Sequence, residues 1–357
     1  MDKLSEILKS LLQPLVAILI GLAVGAVAIL IVGGSVTETY IEMWKGAFGN
    51  FYFFTNTLAR ATPIILIGLG VALAFRAGFF NLGSEGQMVM GALSAALTAI
   101  YLPGTGWMKM VAALLAGMIA AGLWSAFAGW LDARFGMNLI MTTLLLNYIA
   151  ILFAGYLVAF PLKDRSGSAA MSQTVKIDSA VWLPKLFQGM TLHAGFLIAL
   201  CATITLALFI RYTVKGYEIR MMGGNPLFAS YGGVDRARLM LISMFASGAL
   251  AGLAGSVEVL GSQYRYLDGA LTTPGYAWSG IMATLLASSN PIGTALAAIL
   301  LAALQTGGMG MERNTDVPLE VSSIIQAVLI LFVSARIAYS FITFKRKKAG
   351  AKNGSAA

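Results

Sequence analysis

Runs of about twenty apolar residues recur along this chain, and that is the length of helix needed to cross the hydrocarbon core of a bilayer. Unbroken runs of this kind suit helices, which close their backbone hydrogen bonds within the segment. Barrel strands would be short and alternating. Of 357 residues, 58% are hydrophobic and 11% charged, and mean hydropathy is +0.81. A soluble globular domain carries about 25% charged residues. So few polar groups cannot clothe an aqueous surface. The fold class expected is all-α, a polytopic membrane protein of about ten transmembrane helices.

Ten spans are expected, near 14–33, 56–75, 84–101, 110–131, 138–160, 191–211, 239–260, 273–289, 292–309 and 320–342, in one transmembrane domain over 1–357. The first run is long for a signal-peptide core, and no clear cleavage site follows it, so it reads as retained. Asn290-Pro291 turns the chain between the eighth and ninth spans, either of which suits a broken or re-entrant helix. With the N-terminus in the cytoplasm, 15 of the 24 Lys and Arg fall inside and nine outside. That bias places both termini inside, with the tail Lys345–Lys348 facing the anionic leaflet. The net charge of +9 thus reads as orientation in a membrane, since no basic face carries stacking aromatics for nucleic acid.

Two loops exceed simple connectors. Segment 161–190, expected outside, is polar, and Trp182 and Pro184 suggest that it lies along a surface. Segment 212–238, expected inside, is basic and rich in Gly and Pro. No Walker A sequence occurs, no zinc-ligand spacing, and no pairing of nucleophile with base. Cys201 reads as a small buried hydrophobe. His193, the lone histidine, and Glu258, near the outer end of span seven, read as interfacial.

Polar residues crowd one membrane boundary in Arg76-Ala77-Gly78-Phe79-Phe80-Asn81-Leu82-Gly83-Ser84-Glu85-Gly86-Gln87. Ser84 and Gln87 fit a capping box, with Glu85 in the first turn of a helix. Capping leaves the clustering of Arg76, Asn81, Glu85 and Gln87 unexplained, because polar groups at that depth face a cavity or each other. In the inside loop, Asn225-Pro226 starts a helix and Gly232-Gly233 stops it. About two turns between them present Leu227, Phe228 and Tyr231, suited either to a partner's groove or to lipid headgroups. Gly21, Gly25, Gly248, Gly252 and Gly255 are small faces for close helix approach. Asn147 and Gln305 lie deep in spans, where each reads as an interhelical bond or a ligand contact.

The run Phe79-Phe80-Asn81-Leu82-Gly83-Ser84-Glu85-Gly86-Gln87 closely resembles the FN-G-EGQ signature of permease subunits of bacterial ABC importers. These are the simple-sugar and nucleoside branch of the branched-chain amino acid/ribose permease superfamily. Gly223-Gly224-Asn225-Pro226, with Ala229, Gly232 and Gly233, resembles that family's cytoplasmic coupling loop, and Ser247 to Gly255 also looks like the family. Val234-Asp235 stands where the family often has Ile-Asn. The similarity spans nearly the whole chain and is strongest to the larger permease of nucleoside uptake systems. It implies an all-α permease fold of about ten spans and a second, non-identical permease subunit. It also implies a cytoplasmic ABC ATPase and an extracytoplasmic substrate-binding protein.

The resemblance places ATPase coupling on Gly223, Gly224, Asn225, Pro226, Leu227, Phe228, Ala229, Tyr231, Gly232 and Gly233. Candidate residues of the substrate pathway are Phe79, Asn81, Glu85, Gln87, Asn147 and Gln305, and Phe80 and Tyr148 are further candidates for stacking a base. No cofactor or metal is expected on this chain, and ATP would serve the partner ATPase. The expected function is alternating-access import of nucleosides across a bacterial cell membrane. Rivals are a permease for ribose or another simple sugar, a stand-alone secondary transporter, and an intramembrane enzyme or scaffold. The scarcity of Asp and Glu deep in the spans weighs against ion coupling.

Overall fold

The computed structural model describes residues 20–165, 171–328 and 331, and no strand occurs among them. Lys3, Lys9, residues 14–19 and 332–342 of the expected first and tenth spans, and the tail Lys345–Lys348 lie outside the described residues. The helices are α1 Ile20–Val32, α2 Val36–Phe48, α3 Phe51–Arg76, α4 Ser84–Tyr101, α5 Gly106–Phe135 and α6 Leu139–Ala159. They continue with α7 Gly195–Tyr212, α8 Val214–Gly224, α9 Pro226–Tyr231, α10 Arg236–Glu258, α11 Tyr276–Leu286, α12 Pro291–Asn314 and α13 over 320–328.

Six helices among the described residues are long and apolar enough to cross a bilayer: α3, α5, α6, α7, α10 and α12. A seventh span is added if α1 and α2, bent by 118°, act as one. The protein is therefore an all-α, multi-pass membrane protein, and six or seven spans lie among the described residues. Two of the expected spans are not full-length apolar helices, for plain reasons. α4 has the length, but opens on the polar Ser84-Glu85-Gly86-Gln87. α11 has 11 residues, about half a bilayer at 1.5 Å per residue. The turn expected at Asn290-Pro291 is present. Ser288 and Ser289 take left-handed backbone (φ 50° and 59°), and Asn290 Oδ1 accepts the amides of Ile292 and Gly293 at 3.1 and 3.2 Å.

The chain divides into two compact units, Met1–Phe53 with Ala303–Ala357, and Phe54–Ala302. In the first, Ile29, Met43, Met311, Val317, Val321 and Ile325 form a buried cluster. Gly46 and Gly310 meet backbone to backbone, and Gly25 faces Ile325 and Tyr40.

In the second unit α4, α5 and α10 are drawn together by glycine. A Cβ on Gly91 would strike Gly252, one on Gly248 the Ala121 carbonyl, and one on Gly255 the Met88 carbonyl. Small residues allow this approach in a membrane, where apolar contact with lipid costs nothing. The apolar window of α10 is 72% buried and that of α5 28%. On α5 the residues Val111, Leu115, Ile119, Leu123 and Phe127 stay exposed at intervals of four, a face suited to lipid. Cys201 is exposed on α7 rather than buried, on the same kind of face.

At the end of this unit remote from α8 and α9, segment 171–193 folds back onto the chain that follows α10. Thr174 and Ile177 donate to the carbonyls of Tyr266 and Tyr264 at 3.0 and 2.8 Å. Trp182 stacks on Tyr264 with centroids 3.9 Å apart, so it is a packing anchor more than a surface float. His193 is buried by protein at this end, 1% exposed, because Gly195 and Gly261 leave room for its ring.

Candidate functional site: the α3–α4 turn and the α8–α9 loop

α3 ends on a left-handed glycine. Gly78 (φ 82°) donates to the Phe75 carbonyl at 3.0 Å, and Phe79 to the Ala74 carbonyl at 2.9 Å, the paired bonds of a Schellman cap. That cap throws the chain across the end of the bundle and drops Asn81 into it. Asn81 is fully buried and makes four hydrogen bonds. Its Oδ1 accepts the Gly83 amide (2.9 Å) and Gln87 Nε2 (3.0 Å). Its Nδ2 donates to Gln87 Oε1 (3.0 Å) and Ser247 Oγ on α10 (2.9 Å). The two carboxamides thus pair in both directions.

Asn147 on α6 completes the arrangement. Its Oδ1 accepts the Gly86 amide and its Nδ2 donates to the Leu82 carbonyl, each at 2.9 Å. The spacing of the motif follows. Asn81 and Gln87 need each other, while Gly83 and Gly86 leave no room for a Cβ against Asn81, Gln87 and Asn147. The expected capping box does not form. α4 begins one residue earlier, with Gly83 at the N-cap, the Ser84 hydroxyl is buried without a partner among the described residues, and Gln87 bonds Asn81 instead. The tertiary amide pair wins over the local cap.

The sequence-derived pathway residues separate here. Asn81, Gln87 and Asn147 converge on one knot that ties α4, α6 and α10. Phe79 is buried beneath the Arg236 guanidinium, 5.7 Å from the ring centroid. Glu85 is half-buried, within hydrogen-bonding reach of the Trp278 indole on α11. Gln305 belongs to the other unit. Tyr148 is 68% exposed, and Phe80 is exposed against Phe75. A cavity of about 430 Å3 opens beside Phe79 and Phe80, edged by Asp132 and Arg236, which pair at 3.6 Å.

Segment 212–238 holds two helices where one was expected. Thr213 caps α8, accepting the Gly216 amide at 3.0 Å. Asn225 ends α8 and caps α9, accepting the Phe228 amide at 3.1 Å, with Pro226 at the first helical position. Gly233 (φ 81°) stops α9. Leu227, Phe228 and Tyr231 stand 74%, 61% and 90% exposed, while Ala229 is buried. The α8 residues Ile219 and Met222 are buried too. Gly223 lies against the Arg76 carbonyl and the Gly78 amide, so close that a Cβ there would overlap the carbonyl. The loop and the knot are therefore consecutive in space: α9, Gly223, the α3–α4 turn, Asn81.

Ser247 and Glu258 were not among the sequence candidates. Ser247 lies in a stretch that reads as glycine packing. Glu258, the lone acid between 239 and 260, is buried, 7% exposed.

Comparison with known proteins bears on this arrangement. Residues 53–334 match the family described as branched-chain amino acid transport system / permease component. The guanosine ABC transporter permease protein NupP of Bacillus subtilis (strain 168) is 37% identical over 348 residues, covering 96% of this chain and 99% of that protein. The glucose ABC transporter permease protein TsgB13 of Haloferax volcanii is 32% identical, covering 94% and 89%. The nucleoside ABC transporter permease protein NupB of Lactococcus lactis subsp. cremoris is 29% identical, covering 95% and 94%.

Proposed function

This chain belongs to the branched-chain amino acid transport system / permease component family, and from that premise we propose that it forms the translocation pathway of an ABC importer for nucleosides. The observation that carries the mechanism is α9. A short helix with three exposed large side chains, rooted through Gly223 on the turn that holds the Asn81 knot, is a lever between an outside partner and the bundle. The partner is a cytoplasmic ABC ATPase docking on Gly223 to Gly233. This chain binds no cofactor and leaves ATP hydrolysis to that partner. The complex also holds a second permease subunit and an extracytoplasmic binding protein. The chain sits in a bacterial cell membrane with both termini cytoplasmic. That orientation rests on the Lys and Arg bias.

In the pathway, Phe79, Asn81, Gln87 and Asn147 hold the wall in shape. Glu85, beside the exposed Trp278, is the wall group most open to a passing solute, and Gln305 is a further pathway residue on α12. The nucleoside reading rests on the similarity to the guanosine and nucleoside permeases. The glucose permease similarity makes a sugar the second reading. Guanosine and glucose have one chemical feature in common, a ring with vicinal hydroxyl groups.

The test is uptake of labelled guanosine, adenosine, uridine, ribose and glucose into liposomes holding the complete transporter, with and without ATP. ATP-dependent nucleoside uptake, abolished when residues 225–233 become a Gly/Ser linker, is the expected result. Uptake without ATP that follows an ion gradient would sink the ABC mechanism. ATP-driven uptake of sugars alone would overturn the substrate and keep the mechanism.

A further inference from the structure

A second polar site lies at the end of the Phe54–Ala302 unit remote from α9. It is a cavity of about 190 Å3 whose wall includes Asn56 and Arg60 of α3, Glu258 and Ser262 at the end of α10, and Tyr276 of α11. Sites for drug-sized molecules run from about 300 to 1,000 Å3, so this one fits a single small ring. Glu258 is nearly fully buried at the end of a membrane helix. An ionisable group in that position is costly and marks a working site by default. The backbone is irregular here too. α10 widens into a π turn over Val259–Gln263 and ends on Tyr264 in left-handed conformation (φ 58°), a costly geometry for a bulky residue.

The surrounding groups hold Glu258 in place. The Gly195 amide donates to His193 Nδ1 at 3.2 Å, which leaves the ring proton on Nε2. Nε2 lies 3.3 Å from Ser262 Oγ, and the Ser262 hydroxyl in turn bonds the Glu258 carboxyl. Lys185 is committed to the roof, donating to the carbonyls of Thr191 and Gly261 at 3.2 and 3.0 Å. Arg60 spreads over the Tyr276 ring, 5.7 Å from its centroid. That guanidinium covers the aromatic face in the wall, so the cavity offers no free platform on which to stack a base. It offers acceptor oxygens on Glu258 beside donors on Arg60, Asn56 and Tyr276.

We infer that this cavity receives the vicinal hydroxyl groups of the transported solute, the ribose of a nucleoside or the matching edge of a sugar. Each hydroxyl both donates and accepts, and a carboxyl set among donors answers both functions at adjacent oxygens. A site built for a hydroxyl rejects the analogue that lacks it, because its own polar groups are then left unpaired. The inference rests on the importer reading above and names the part of the solute that this chain itself recognises.

The experiment compares uptake of guanosine and 2′-deoxyguanosine by the complete transporter in liposomes, for the native chain and Glu258→Gln. The native transporter is expected to favour guanosine at least tenfold in kcat/KM. In the variant that preference should fall to about one, with guanosine uptake losing more than 2′-deoxyguanosine uptake. Asn56→Ala, at the other side of the same wall, should narrow the preference in the same way and serves if Glu258→Gln does not assemble. An unaltered preference in assembled variants, or an equal fall for both nucleosides, overturns the subsite and leaves the importer standing. Absence of any ATP-driven uptake by the native transporter removes the importer reading and the subsite with it.

Discussion

Two amides and an imidazole show how single side chains set this bundle. Asn81 and Gln87 satisfy each other in a place where water cannot reach either. A buried polar group that loses its partner costs about 1–3 kcal/mol, whereas removing both partners together is close to neutral. Asn81→Leu and Gln87→Leu should therefore each lower the thermal midpoint of the detergent-solubilised protein. The double variant should lose less than the sum, and additive losses would argue against the pairing. His193 makes a different point. Burial, and secondarily the Lys185 ammonium, pull its pKa down from 6.5 to about 4. The folded protein keeps the ring neutral, while the unfolded chain takes up a proton below 6.5. The resulting stability is complete above pH 6.5 and drains as pH falls toward 4, in total about 3 kcal/mol. His193→Gln should flatten the dependence of thermal midpoint on pH between 7 and 4.5. An unchanged slope would place the pH sensitivity elsewhere.

Among the elements, α9 is joined to the α3–α4 turn through Gly223 at the end of α8. Neither is long, and each is held by caps: Asn225 and Gly233 for α9, Gly78 for the end of α3. Their contact depends on a missing side chain at Gly223. Gly223→Val should separate the two backbones and cut ATP-driven uptake by at least tenfold, while the ATPase still co-purifies, because Leu227, Phe228 and Tyr231 keep their exposure. Normal uptake in this variant would show that force reaches the bundle by another route. Local signals were enough for these helix ends, since an Asn-Pro start and a Gly-Gly stop act over one turn. They were misleading at Ser84, where the capping pattern is present but Gln87 has a better partner six residues back in the chain. α8 was hidden, because its five glycine and methionine residues among 214–224 read as a hinge.

For the whole molecule, composition and run length fixed the solvent and the secondary structure. With 58% hydrophobic residues and apolar runs of bilayer length, helices in lipid were the one arrangement that satisfies the backbone. The sequence by itself also singled out the two segments that meet in the fold, since polar residues crowded together stand out against an apolar background. Only the tertiary structure decided what those residues do. Whether Asn81 meets a solute or Gln87 depends on Ser247 and Asn147, which lie 166 and 66 positions along the chain. Whether Glu258 reaches water depends on a histidine and a lysine from segment 171–193 and an arginine from α3. Hydrophobicity acts on each residue through its own surface and is legible in order along the chain. Hydrogen bonding needs a second group at about 3 Å, and which group arrives there is settled by packing.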